Sequence, residues 1–183
     1  IANKFNHDYK VEFFPEIRPL IFGSATRVMS LRDGQKKMSK SDESEFSRIN
    51  LLDDKDTIRN KIKKAKTDSE SIMGLEALED NGEFKTNIVV QRPEAVNLLN
   101  ILCAAENISK KEAVSMFSGK NFSDLKEGLS DSLISKIIPI GTEMKKMITD
   151  KKYLSSVLNT GAEVAEEDSK KNLLDIKNII GFN

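Results

Sequence analysis

The sequence predicts a mainly α-helical protein, a helical bundle over residues 54–183 preceded by the closing piece of an α/β domain over residues 1–53. Two observations carry this. From Asp54 onward the apolar residues recur at three- and four-residue spacing, the signature of amphipathic helices. Ahead of that point a short apolar run, Val28-Met29-Ser30-Leu31 within Ala25 to Leu31, reads as a strand. With 38% apolar residues in 183, the chain can bury a real core.

The elements follow in order. Ile1-Ala2-Asn3-Lys4-Phe5-Asn6 reads as the end of a helix, followed by a loop around Phe13-Phe14-Pro15-Glu16. Residues 32–47 form a charged loop. Asp53 or Asp54 can cap a helix whose first turn also holds Asp56, where acids complement the positive end of the helix dipole. On this helix, expected over Ile58 to Ser69, Ile58, Ile62 and Ala65 share one face. Arg59, Lys63 and Lys66 form an adjacent basic stripe. Residues Gly74 to Thr86, with Gly82 and few β-branched residues, are the candidate flexible segment. Pro93 opens a helix through Ala104, with Leu98, Ile101 and Leu102 as its apolar face. Ser109-Lys110-Lys111-Glu112 is a capping box for a helix to about Phe117, and Gly119 ends it. From Ser123 a stripe of Leu125, Leu129, Leu133, Ile137, Ile140, Met144 and Met147 continues for some seven turns past Pro139, where a kink is expected. The last helix carries Leu173, Leu174, Ile176, Ile179 and Ile180, and Gly181 is its C-cap. Such stripes read as core.

Charge and cysteine content bound the function. Net charge is zero, with 29 residues of each sign, which argues against a nonspecific nucleic-acid coat, and any RNA contact must come from local patches. One such patch is available: five cations and no acid lie between Thr57 and Lys66, followed by six acids and no cation from Thr67 to Phe84. Two solvated faces that neutralise one another account for this as well as a phosphate-binding stripe does. The one cysteine, Cys103, lies in an apolar run and reads as a buried small hydrophobe. His7, the one histidine, has nothing beside it to form a dyad or metal site, and no carboxylate cluster has metal-ligand spacing. With no disulfide framework, signal peptide or transmembrane run, a cytoplasmic protein is expected.

The most informative segment is Lys36-Lys37-Met38-Ser39-Lys40-Ser41. Composition alone makes it an ordinary surface loop in a chain that is 32% charged. Yet Lys37 and Lys40, three apart, can aim two ammonium groups at one polyphosphate, while Ser39, Ser41 and the loop amides offer neutral donors. Glycine enters only at Gly34, so this is not a glycine-rich phosphate loop.

Lys37-Met38-Ser39-Lys40-Ser41 matches letter for letter the second signature of class I aminoacyl-tRNA synthetases. With Arg27-Val28-Met29-Ser30-Leu31, Asp42, Ile49-Asn50-Leu51-Leu52-Asp53-Asp54, Thr67-Asp68-Ser69, Gly161-Ala162-Glu163 and Ile179-Ile180-Gly181-Phe182, the chain resembles the tryptophanyl-tRNA synthetases from Ile1 to Phe182. The family's HIGH-like signature, amino-acid pocket and Gly-x-Asp-Gln segment are not found. The resemblance therefore implies a C-terminal fragment, inactive alone, holding the end of a Rossmann-like catalytic domain and an anticodon-binding type of bundle. It implies ATP with Mg²⁺, tryptophan and tRNA(Trp) as partners, and a homodimer for the full-length protein. Lys37 and Lys40 would hold the leaving phosphates, Ser39 and Ser41 would shape the loop and donate hydrogen bonds, and Val28 and Met38 would contact the adenine. Arg59, Lys63 and Lys66, with Lys61 and Lys64, are the candidate tRNA contacts. Where family members often carry Asp-Pro, this chain has Asp33-Gly34, which predicts a loosened loop entry. A tyrosyl-tRNA synthetase relative and a non-catalytic RNA-binding module derived from a synthetase stay open.

Overall fold

The computed structural model describes residues 1–21 and 26–182, and the secondary structure among them is almost wholly helical. Seven α-helices follow in order: α1 (Ala2–Tyr9), α2 (Lys55–Lys63), α3 (Thr86–Gln91), α4 (Pro93–Glu106), α5 (Lys110–Phe117), α6 (Phe122–Thr149) and α7 (Lys151–Ile180). By contacts the chain divides into a smaller unit of residues 1–21 and 146–183 and a larger unit of residues 22–145. This contact division is distinct from the change of sequence period near residue 54. No helix among the described residues is long and apolar enough to cross a membrane.

The larger unit is built around Ile58, Ile62, Leu98, Leu99, Val114, Leu125 and Leu129, all essentially sealed from solvent. Local signals start its helices where the sequence places them. Asp54 accepts the Thr57 N–H at 2.7 Å. That bond holds the Asp54 carboxyl below its ordinary value, so the residue meets the α2 terminus ionised. Pro93 opens α4, and Ser109 and Glu112 form the reciprocal capping box of α5. Helix α4 packs against both α3 and α5. Cys103 is fully buried on α4, and burial pushes its thiol up.

Several expectations change. The strand expected over Ala25 to Leu31 is, among the described residues, a single antiparallel bridge between Met29 and Lys37; Ala25 itself lies outside them. The helix expected to reach Ser69 stops at Lys63. Its end is fixed by Lys126, whose ammonium donates to the Lys63 and Ala65 carbonyls at 3.1 and 2.7 Å. Residues Gly74 to Thr86 are not a loose connection. A turn through Gly82 at φ +81° closes a Leu78–Phe84 bridge, and Ala77 and Phe84 are buried in the core. The acidic composition there hid two apolar anchors, and α3 follows at once.

The α6 stripe divides. Leu125, Leu129 and Leu133 are buried, whereas Ile140 and Met147 are exposed. The helix continues through Pro139. In the smaller unit, α1 closes at Lys10 with φ 55°, and Asn6 exchanges two hydrogen bonds with the Phe14 backbone, at 2.7 and 3.0 Å. Phe5, Tyr9, Phe13 and Phe14 cluster there, with ring centroids 4.7 to 6.2 Å apart. Helix α7 runs from an Asp150 cap to Gly181 in the left-handed region, and none of its residues is buried. Leu173 and Leu174 are exposed, so the stripe read as core is not covered among the described residues. Periodicity marks a face that can be covered; it does not supply the cover.

Candidate functional site

The segment from Val28 to Met38 folds back on itself as a short hairpin. The Met29–Lys37 bridge is flanked by Ser30 N–H to the Lys36 carbonyl at 2.8 Å and by Met38 N–H to the Val28 carbonyl at 3.1 Å. Leu31, 2% exposed, roots it in the core. Its N–H donates to the Ser47 carbonyl at 2.9 Å and its carbonyl accepts the Lys66 N–H at 2.7 Å. At the turn, Asp33 accepts the Gln35 N–H at 3.0 Å.

Gly34 does the opposite of loosening this turn. A Cβ there would stand 2.6 Å from the Glu94 nitrogen and the Pro93 carbonyl carbon, so only glycine lets the turn lie against the start of α4. Burial pushes the Glu94 carboxyl up, but Lys66 and the N–H groups of Glu94 and Gly34 outweigh it and hold the group below its ordinary value. The hairpin is clamped at its turn.

Beyond the hairpin opens a cleft of about 810 Å³. Val28 and Met38 give it an apolar pad, and Lys37, Ser39 and Lys40 form its rim. The opposite wall is the run Arg48 to Asp53, and Met144 of α6 closes the side. Gly141 lets the Leu51 carbonyl approach α6, since a Cβ would stand 2.4 Å from that oxygen. Lys37 and Lys40 are exposed, and among the described residues neither has an ion-pair partner. Of the residues singled out in the sequence, the fold brings together Val28, Lys37, Met38, Ser39 and Lys40. Ser41 does not line the cleft; its hydroxyl lies 3.0 Å from that of Ser39 and shapes the loop.

Sequence reasoning missed the supports of the far wall. Arg48 donates to the Asp42 carbonyl at 2.9 Å and pairs with Glu45, tying down the end of the signature loop. Asp53, unlike its neighbour Asp54, is no cap. It accepts the Asn50 N–H at 2.9 Å and the Lys61 ammonium at 2.6 Å, with the Lys61 side chain 5% exposed. The available signal was the spacing, because Lys61 is three residues from Ile58 on the inward face of α2.

The basic stripe is not formed as expected. Lys66 lies beyond the end of α2 and pairs with Glu94 at 2.8 Å, which raises its pKa. Lys61 is buried and Arg59 pairs with Asp131 at 2.7 Å. Lys64 lies over the Phe46 ring, 4.4 Å from its centroid. Arg59 and Lys63 do line one polar cleft together with Lys126 and Ser123. His7, expected to have nothing beside it, does have a carboxylate neighbour: its exposed ring lies 3.2 Å from Asp8, on the surface of α1.

An apolar pad beside two free ammonium groups suits a planar ring that carries a polyanionic tail. Comparison with known proteins follows the same line. The tryptophan–tRNA ligase of Brucella melitensis biotype 1 is 41% identical over 201 residues, covering 100% of this chain and 54% of that protein. That of Rhizobium meliloti is 44% identical over 171 residues, covering 93% and 45%. The chain thus spans about half the length of the curated relatives it matches. A crystal structure of tryptophanyl-tRNA synthetase from Mycoplasma pneumoniae shares the fold, with a TM-score of 0.74 and 22% identity, over 100% of this chain and 53% of that one. The family described as tRNA synthetases class I (W and Y) matches residues 1–138, and the chain belongs to that family.

Proposed function

We propose that this chain is the signature-loop and tRNA-binding portion of a tryptophan–tRNA ligase. The relatives that match it across its length are named for tryptophan, which favours that enzyme over a tyrosine-specific one. In the proposed division, residues 1–53 close a Rossmann-like catalytic domain and residues 54–183 form the anticodon-binding bundle of a cytoplasmic, homodimeric enzyme.

The reaction has two steps. The carboxylate of tryptophan attacks the α-phosphorus of ATP, the bond from that phosphorus to the α,β-bridging oxygen breaks, and pyrophosphate leaves with the bridging oxygen as tryptophanyl-adenylate forms. The 3′-terminal ribose of tRNA(Trp) then takes the aminoacyl group and AMP is released. Negative charge grows on the leaving phosphates during the first step. Lys37 and Lys40 meet that charge from the rim of the cleft, while Val28 and Met38 lie against the adenine. Because both cations stand on an exposed loop, they can close on the phosphates as the bond breaks, which raises rate more than ground-state affinity.

The cleft does not fit a protein-held Mg²⁺. Asp53 is the one carboxylate residue in its lining, and it is engaged by Lys61 and Asn50. No group of three or more His, Cys, Asp or Glu suited to a metal occurs among the described residues. Mg²⁺ would accompany ATP on phosphate oxygens and water.

The observation that carries this reading is the pair of exposed lysines, without an ion-pair partner among the described residues, at the end of a hairpin held by backbone hydrogen bonds. Lys40→Ala in the full-length protein lowers the rate of ATP–pyrophosphate exchange by about 10²-fold or more, the usual effect of losing one charge-stabilising donor. Unchanged exchange would overturn the role given to Lys40.

A further inference from the structure

We propose that Asn97, inside the core and away from the cleft rim, is a positioning residue for adenylate formation, holding the hairpin that presents Lys37 and Lys40. The inference rests on the ligase reading and adds a residue to its machinery.

Asn97 is on α4, 4% exposed, and 68 residues from its partner in sequence. Its side-chain oxygen accepts the Met29 N–H at 2.9 Å. Its amide nitrogen donates to the Met29 carbonyl at 2.9 Å and to the Ser30 carbonyl at 3.4 Å. The side chain thus engages Met29 as a neighbouring strand would, on a segment that has only a single bridge to Lys37 on its other side. A two-stranded hairpin of that length is marginal in water. Asn97 makes it a three-membered arrangement.

The leverage is short. Met29 pairs with Lys37, the adjoining Val28 carbonyl accepts the Met38 N–H, and Lys40 follows two residues later. The same helix meets the hairpin turn through Pro93 and Glu94 at Gly34. Helix α4 therefore holds the hairpin at its turn and at its base, and a tilt at Met29 moves both the apolar pad and the rim cation beside it. Displacement of about 1 Å at a charge-stabilising group can change a rate by about 10²-fold.

Asn100, one turn further along α4, is the matched control, because its side-chain oxygen is buried without a hydrogen-bond partner among the described residues, where its side chain makes no bond to the hairpin. The test uses the full-length protein, with ATP–pyrophosphate exchange expressed per active site from the burst of adenylate formed on mixing. Asn97→Leu removes all three bonds. Asn97→Asp keeps an acceptor for the Met29 N–H and loses both donors. Both lower turnover per active site about 10- to 100-fold, leave KM for tryptophan within about twofold, and speed hydrogen exchange at the Met29 and Met38 amides. Asn100→Leu leaves turnover within about twofold. If Asn97→Leu does not fold, Asn97→Asp and Asn97→Ser carry the comparison.

Wild-type turnover per active site in the Asn97 variants overturns the proposal. So does a loss that vanishes once activity is divided by the burst, which would make Asn97 a folding residue only. A loss without faster amide exchange at the hairpin also overturns it. Absence of exchange in the unsubstituted protein would instead overturn the ligase reading itself.

Discussion

The hairpin that carries Lys37 and leads into Lys40, and the helix α2 that carries Arg59, Lys61 and Lys63, are both rich in cations and differ in how those cations are paired. In the hairpin the backbone is fixed by Ser30, Leu31 and Met38 hydrogen bonds, while the two cations at the rim have no partner among the described residues. On and just past α2, Lys61 is tied to Asp53, Arg59 to Asp131 and Lys66 to Glu94. A count of lysines cannot separate these cases. What separates them is whether the fold supplies a carboxylate within reach, because a neighbouring anion offsets the field of the cation and competes with a ligand for it.

The largest effect on stability that tests this contrast is at Lys61. Its side chain is 5% exposed and that of its partner Asp53 is 11% exposed, so Lys61→Met leaves a carboxylate beneath the cleft wall without its cation. The expected loss is about 3 kcal/mol or more, read from urea unfolding. Lys63→Met, two residues along on the exposed face, changes stability by less than about 0.5 kcal/mol. Equal effects at the two positions would erase the distinction between cations that hold the fold and cations that face outward.

How much of this was legible follows from which interactions are local. The caps at Asp54 and Ser109, the proline opening of α4 and the C-cap Gly181 act over three or four residues, so the sequence displays them directly. The signature loop was legible as chemistry, with Val28, Lys37, Met38, Ser39 and Lys40 converging on one cleft. The partners were not. Asp53 with Lys61, Asn97 with Met29, and Gly34 against Pro93 are set by long-range packing, and each residue has an ordinary alternative when read alone. Read alone, Asp53 can cap the helix as well as Asp54 can, and Gly34 reads as a flexible joint. The end of α2 is hidden for the same reason, since the Lys126 ammonium that donates to the carbonyls there is about sixty residues away.

A smaller effect, with a pH signature, lies at Asp68. Arg92 grips its carboxylate through two bonds, at 2.7 and 3.0 Å, and donates to the Ser71 carbonyl at 2.9 Å, fastening residues 68–71 to the mouth of α4. Burial pushes the Asp68 carboxyl up, but Arg92 and the Glu70 N–H prevail and hold it below its ordinary 3.8. The folded state therefore binds this proton less readily than the unfolded state. The stabilisation is complete above about pH 4 and is lost as pH falls through the depressed folded value. Asp68→Asn lowers stability by about 1 to 3 kcal/mol at pH 7, with the difference from wild type shrinking below pH 4. A gap that persists at pH 2 would assign the loss to packing and not to charge.

The smallest effect separates Lys63 from Lys66 as proposed tRNA contacts. Lys63 is exposed on the polar cleft it shares with Arg59 and Lys126, and no ion pair restrains it among the described residues. Lys66 has its ammonium 2.8 Å from Glu94. A cation that neutralises one phosphate releases its counterions, contributing about 0.7 to 0.9 to the slope of log affinity against log salt. In a salt series with tRNA(Trp), Lys63→Ala lowers the slope by about that amount, whereas Lys66→Ala lowers it by clearly less. Lys63→Ala leaves ATP–pyrophosphate exchange unchanged, because its side chain lies outside the lining of the cleft that holds Lys37 and Lys40. Identical slopes for the two variants would show that the Glu94 pair opens when RNA binds, and the cations of this region would then count as one patch despite their partners in the free chain.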